Sequence, residues 1–201
     1  MAKKYYAVRI GKTPGIYLTW DDCKAMVDGV SGAKYKSFTN IDEAEAFLQG
    51  VEYQPVAGDI KETGNYAFVD GSYNVVTGVY GYGGFLVADG EKHILQGSDN
   101  EEEMASMRNV AGEILGSMAA VEKAMELGLS QLSIYYDYAG IEMWATGGWK
   151  RNKAGTIAYY DYMQSVKEKI QITFVKVKGH SGIEGNEEAD RLAKEAVGVE
   201  G

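Results

Sequence analysis

The sequence predicts an α/β protein in two parts: a small domain with a three-stranded sheet and two helices, then a larger mixed five-stranded sheet with flanking helices. Three observations carry this. Short alternating apolar runs near the N-terminus interleave with two stretches of helical spacing. Residues 50–64 (GVEYQPVAGDIKETG) hold one proline and three glycines with no period, which reads as a linker. Beyond it, three strand-like runs come first and helices alternate with strands afterwards, the order of a mixed sheet covered by helices. The expected division is 1–50, a linker over 51–64, and a domain over 65–201.

In the first part, alternation predicts a strand over 5–10, a Lys-Thr-Pro-Gly turn at 12–15 and a second strand over 16–18. A helix follows over about 21–28, then a strand over 34–38. Asn40 with Glu43 three residues on is the pattern of a capping box, and Ala44, Phe47 and Leu48 repeat at helical spacing behind it.

In the second part, strands are expected over 66–69, 79–87 and 92–96, separated by turn residues. Ile114, Met118, Val121 and Met125 fall on one face of a long helix that ends near Gly128. A strand over 131–136, a short helix over 140–145, a helix over 156–169 and a strand over 172–177 come next. Ala189, Leu192, Ala193 and Ala196 mark a last amphipathic helix from about Asn186.

The composition of the 201 residues, 45% apolar and 24% charged, excludes wholesale disorder. Cys23 is the single cysteine, so neither an internal disulfide nor a cysteine-based zinc site is available. No signal-peptide core and no apolar run of membrane-spanning length is present, and a monomeric protein of the reducing cytoplasm, without a membrane partner, is expected. The net charge of −9 argues against nucleic acid as a partner only when taken whole. Residues 1–38 carry seven basic against three acidic side chains, whereas 65–201 carry twelve against twenty.

Four acidic residues and one histidine stand out. Asp70, in Ala67-Phe68-Val69-Asp70-Gly71-Ser72, and Asp137, after Ser133-Ile134-Tyr135-Tyr136, each follow an apolar strand. Turn and cap chemistry accounts for either alone. Two such aspartates in one mixed sheet also fit a site at the strand ends. Glu113 begins the long helix, and Asp190 lies on the last one, where an i,i+4 pair with Lys194 is the ordinary explanation. His180 sits in the glycine-rich loop Gly179-His180-Ser181-Gly182 immediately before that helix.

With these residues in view, the sequence resembles type 1 ribonuclease H, a family that cuts RNA in RNA/DNA hybrids. Asp-Gly-Ser at 70–72, a helix glutamate at 113, an aspartate at 137, and Gly-His-Ser-Gly followed by Asn-Glu-Glu-Ala-Asp-Arg-Leu-Ala at 186–193 stand in the family's order. Residues 6–38, with Thr19-Trp20, Cys23 and Lys34-Tyr35-Lys36-Ser37-Phe38, resemble the small hybrid-binding domain that precedes many such enzymes.

The resemblance implies a ribonuclease H-like fold and hydrolysis of the RNA strand with two Mg²⁺ ions, Mn²⁺ substituting, leaving 5′-phosphate and 3′-hydroxyl ends. It makes Asp70, Glu113, Asp137 and Asp190 the metal ligands. Asp70 bridges both ions, Asp137 serves the one that activates water, and Glu113 serves the one facing the leaving group. His180 assists proton movement or product release. Physical chemistry agrees, because four converging carboxylates resist ionisation unless cations neutralise them, and oxygen ligands select Mg²⁺ or Mn²⁺. Gly71, Ser72 and Asn109 become candidates for reading the RNA 2′-hydroxyl. Trp20, Tyr35 and Lys36 become candidates for holding the DNA strand, with core packing as the other reading of the two rings.

Ser37 departs from a second lysine frequent in the family, and Arg108-Asn109 from an Asn-Asn pair. The 43 positions from Asp137 to His180 leave no room for the basic protrusion of some relatives. Trp144 to Lys153 reads equally as core indoles beside a solvated charge run or as a backbone grip. A non-catalytic hybrid-binding protein on the same scaffold, or a nuclease for DNA junctions, remain the alternatives, and cleavage of a hybrid separates them.

Overall fold

The computed structural model describes residues 4–39, 41–50, 64–179 and 183–199, with Asp42 described for its backbone alone. The chain divides into two compact units, residues 1–55 and 56–201. Asn40 of the expected capping box and nearly all of the expected linker lie outside the described residues.

In the first unit, β1 (Tyr5–Ile10) runs antiparallel to both β2 (Gly15–Tyr17) and β3 (Lys34–Phe38), in the order β2-β1-β3. Helices α1 (Trp20–Val27) and α2 (Ile41–Gln49) complete it. The hydroxyl of Thr19 accepts the Asp22 backbone N–H at 3.2 Å, which caps α1 and sets its first residue at Trp20. The core is built from small residues, Ala7, Val8, Cys23 and Ala44, all fully buried. The larger aromatic rings of this unit are therefore left nearer the surface.

In the second unit, β4 (Tyr66–Tyr73), β5 (Tyr80–Ala88) and β6 (Glu91–Asp99) form an antiparallel meander, followed by α3 (Glu102–Ala105) and α4 (Asn109–Glu126). Then come β7 (Gln131–Tyr136), α5 (Gly140–Ala145), α6 (Ala154–Val166), β8 (Gln171–Lys176) and α7 (Glu184–Ala196). The sheet order is β6-β5-β4-β7-β8, with β4, β7 and β8 parallel. A cluster of Phe68, Phe85, Tyr135, Val177 and Ala189 joins the sheet to α7. On α4, Ala111, Ile114, Ala120, Val121 and Ala124 are buried. Among the described residues, no helix is long and apolar enough to cross a membrane.

One expectation is corrected and one open alternative is decided. The Asp-Gly-Ser segment is strand, not turn: β4 continues four residues past Val69, because β5 supplies partners through Asp70↔Gly83, Gly71↔Tyr82, Ser72↔Gly81 and Tyr73↔Tyr80. The turn lies at Asn74, whose side-chain oxygen accepts the N–H groups of Val76 and Thr77 at 3.0 and 3.2 Å. The acidic run 101–103, exposed throughout, opens a short helix in which the Glu101 carboxylate accepts the N–H groups of Glu103 and Met104 at 3.0 and 2.8 Å. Of the two readings of Trp144 to Lys153, the core one holds for the indoles: Trp144 and Trp149 are 8% and 2% exposed, packed edge-on 5.8 Å apart beside Tyr138.

Close approach between layers depends on glycine at one central position of β5. A Cβ on Gly83 would overlap the backbone of Leu192 and Ala193, so only glycine lets α7 lie against the sheet at this depth.

Candidate active site

The parallel register of β4 and β7 ends at Phe68↔Tyr135. Side chains two apart along a strand share a face, so Asp70 projects on the side of the Phe68 ring stacked on Tyr135, and Asp137 follows β7 directly, one residue past its end. Past this pairing β4 continues with β5 alone, while β7 stops at Tyr136. The two carboxylates therefore stand where the sheet forks.

Glu113 arrives from the first third of α4. A Cβ on Gly71 would overlap the Asn109 carbonyl oxygen and the Glu113 backbone nitrogen, so the bare backbone at 71 is what allows α4 to lie this close to β4. As a result, Asp70, Glu113 and Asp137 bring one carboxylate oxygen each within 4.8 Å of one another. Asp70 and Glu113 are buried, 8% and 3% exposed. Asn109 Nδ2 stands 3.5 Å from Glu113 Oε1, and the Gly71 N–H donates to Asp70 Oδ1 at 2.7 Å.

Electrostatics follow from this crowding. Burial first, and then the charge of Asp137, push the Asp70 carboxyl well above the usual carboxylate range; Asp190 adds to the rise, while the Gly71 N–H and the Lys194 ammonium oppose it. Asp190 is not one of the three clustered residues. It acts on Asp70 from α7 and pairs with Lys194 at 2.8 Å, the i,i+4 contact expected from spacing. An all-oxygen group of three crowded acids, two of them buried, fits a divalent cation, which would relieve the repulsion felt at Asp70.

Of the other expected residues, Ser72 pairs with Gly81 inside β4/β5 and Asn109 opens α4, so both lie on the elements that bear Asp70 and Glu113. His180 lies outside the described residues. In the first unit, Trp20 and Tyr35 are 43% and 45% exposed with ring centroids 5.8 Å apart, and Tyr6 lies 5.9 Å from Trp20. Core packing does not account for these two rings. Lys36 is exposed on β3, its ammonium 5.2 Å from the Phe38 ring centroid.

Two supporting residues escaped the sequence reading. Lys176 donates to the Asp137 carbonyl oxygen at 2.5 Å, and a Cβ on Gly179 would stand 2.5 Å from Asp137 Oδ2. The glycine just before His180 was the available signal, since a glycine beside a polar site often marks close approach of backbone. Nothing in the sequence distinguishes Lys176 from a surface lysine.

Comparison with known proteins agrees with the geometry. A model described as Ribonuclease H1 N-terminal domain matches residues 4–48, and one described as RNase H matches 62–198. The chain is 28% identical to Ribonuclease H1 of Homo sapiens over 255 aligned residues, covering 96% of this chain and 89% of that protein. It is 32% identical over 142 residues to Ribonuclease HI of Synechocystis sp., covering 63% of this chain and 82% of that protein. The solved structure of LC11-RNase H1 in complex with RNA/DNA hybrid shares the fold, with a TM-score of 0.55 at 19% identity over 67% of this chain and 96% of the other.

Proposed function

Because this chain belongs to the ribonuclease H family, we propose that it is an endonuclease that hydrolyses the RNA strand of RNA/DNA hybrids with two divalent ions, Mg²⁺ first and Mn²⁺ as substitute. The observation that carries the reading is the convergence of Asp70, Glu113 and Asp137 within 4.8 Å at the fork between β4 and β7.

Asp70, Glu113, Asp137 and Asp190 are the residues that would hold the ions. Asp70 is central among them: it lies beside Glu113 and Asp137 and feels the charges of Asp137 and Asp190, so it would hold the ions together with each of the other three. When bound, divalent ions supply positive charge to the attacking water and the departing oxygen of an in-line displacement at phosphorus, which leaves 5′-phosphate and 3′-hydroxyl ends. The chain's own contribution is preorganisation. Asn109 steadies the Glu113 carboxylate, the Gly71 N–H holds one oxygen of Asp70, and Lys176 ties down the backbone at Asp137.

Selection of RNA falls to groups near Gly71, Ser72 and Asn109, since the 2′-hydroxyl is the feature that DNA lacks. His180 assists proton movement or product release. In the first unit, the exposed pair Trp20 and Tyr35 with the Lys36 ammonium offers apolar faces and a cation to the DNA strand.

The experiment offers the protein a labelled RNA/DNA hybrid, double-stranded RNA and double-stranded DNA, with and without Mg²⁺. Cleavage confined to the RNA strand of the hybrid, dependent on Mg²⁺ and lost in Asp137→Asn, is expected. Equal cleavage by Asp137→Asn would overturn the mechanism, and tight hybrid binding without cleavage in either Mg²⁺ or Mn²⁺ would overturn the activity.

A further inference from the structure

Lys194 lies one turn beyond Asp190 on α7, with Nζ 2.8 Å from Asp190 Oδ2, and the two side chains retain only 33% and 24% of their exposure. Its charge reaches past its partner. Among the influences on the Asp70 carboxyl, Lys194 is a favourable one set against burial, Asp137 and Asp190. The ammonium thus contacts one acid of the proposed ion site directly, Asp190 on α7, and its charge favours the ionised form of a second, Asp70 on β4, as the smallest of the influences there.

We propose that Lys194 is a tethered counterion of the acidic cluster: its ammonium holds Asp190 when no divalent ion is bound, gives way as the ion enters, and so sets the divalent-ion affinity of the site. This inference rests on the reading of the four carboxylates as the metal site. The physical case has two parts. Unlike charges at this separation attract, so the lysine offsets repulsion in the ion-free protein. The same positive charge opposes a divalent ion approaching the same oxygens. A compact ammonium on a flexible four-carbon stem can leave the pair by rotating its own bonds, and a partly exposed i,i+4 pair is weak enough for a doubly charged ion to displace.

The test measures Mg²⁺ affinity by calorimetry, and melting temperature with EDTA or with Mg²⁺, for the full chain. Lys194→Met is expected to bind Mg²⁺ about three- to tenfold more tightly and to melt lower than wild type in EDTA, with a larger rise on adding Mg²⁺. Lys194→Arg keeps the charge and is expected to stay within about twofold of wild type. Lys123→Met makes the same change in net charge ten residues along α4 from Glu113, about 15 Å away; there Lys123 pairs with Glu126. It is expected to leave Mg²⁺ affinity within about twofold. Unchanged or weaker Mg²⁺ binding by Lys194→Met overturns the proposal, and so does equal tightening by Lys123→Met. Failure of the underlying site reading looks different: wild type then shows no Mg²⁺ binding that Asp70→Asn abolishes, and the inference falls with it.

Discussion

Phe68 and Tyr135 are register partners across the parallel strands β4 and β7, their rings stacked 4.6 Å apart, and two residues beyond each stands an aspartate of the acidic cluster. The apolar pair fixes the register, and the register fixes the acids. A slip of one residue would turn the Tyr135 ring to the opposite face from Phe68 and shift the end of β7, and Asp137 with it, along β4, so the stacked rings help to position the site.

Replacing Asp70 by Asn is expected to abolish cleavage and, in EDTA, to stabilise the protein. Two ionised carboxylates 4.8 Å apart repel by about 3 kcal/mol at an effective dielectric constant of about 20. With part of this relieved by relaxation, a gain of about 1–2 kcal/mol, or about 3–8 °C in melting temperature, is expected. A thermal melt that falls instead of rising would count against charge crowding at this site.

The pH dependence has a definite sign. The folded state holds the Asp70 proton more tightly than the unfolded chain, so native stability declines as pH rises from the ordinary carboxylate pKa of 3.8 through the raised value, and is flat above it. Wild type minus Asp70→Asn stability in EDTA, followed by urea unfolding from pH 4 to pH 8, is expected to fall through this window. A difference that rises with pH would contradict the burial and Asp137 repulsion assigned here.

Gly71→Ala is expected to push α4 off β4, because the new methyl meets the Asn109 carbonyl oxygen and the Glu113 nitrogen. Overpacking of this kind costs about 1–3 kcal/mol. It should also displace Glu113 and weaken Mg²⁺ binding by at least about tenfold. Ser72→Ala, on the same strand, serves as the comparison and is expected to leave Mg²⁺ affinity near wild type.

Trp20→Ala, on the exposed ring pair of the first unit, is expected to weaken hybrid binding about five- to thirtyfold, by loss of about 1–2 kcal/mol of ring contact. The rate of cleavage at saturating hybrid should hold. Fluorescence anisotropy with a labelled hybrid, read beside single-turnover cleavage, separates the two quantities.

Removing residues 1–50 is expected to reduce hybrid affinity and to flatten its dependence on salt, since the basic excess of the chain lies in residues 1–38. The remaining acidic domain should cleave at saturation. Affinity unchanged at every salt concentration would remove the first unit from substrate binding.

How much of this was legible in the sequence varies from residue to residue. Alternation and helical spacing located nearly every element, because buried faces impose their period on the chain. The exceptions are instructive. Asp-Gly-Ser reads locally as a turn, yet it is strand because β5, with glycines opposite, pairs along it. Strand pairing is a non-local choice that no window of sequence contains. The short helix after Glu101 was likewise hidden in a run of charge.

The sequence by itself determined the division of charge between the two parts, the order of elements, and which acids, glycines and exposed aromatics were worth watching. Only the tertiary structure decided that Asp70, Glu113 and Asp137 meet, and that Trp20 and Tyr35 face solvent while Trp144 and Trp149 do not. The physical reason is that spacing along a chain sets which side of an element a residue occupies, whereas electrostatic energy depends on distances between elements. Those distances are set by where backbones can touch, here at Gly71 and Gly83.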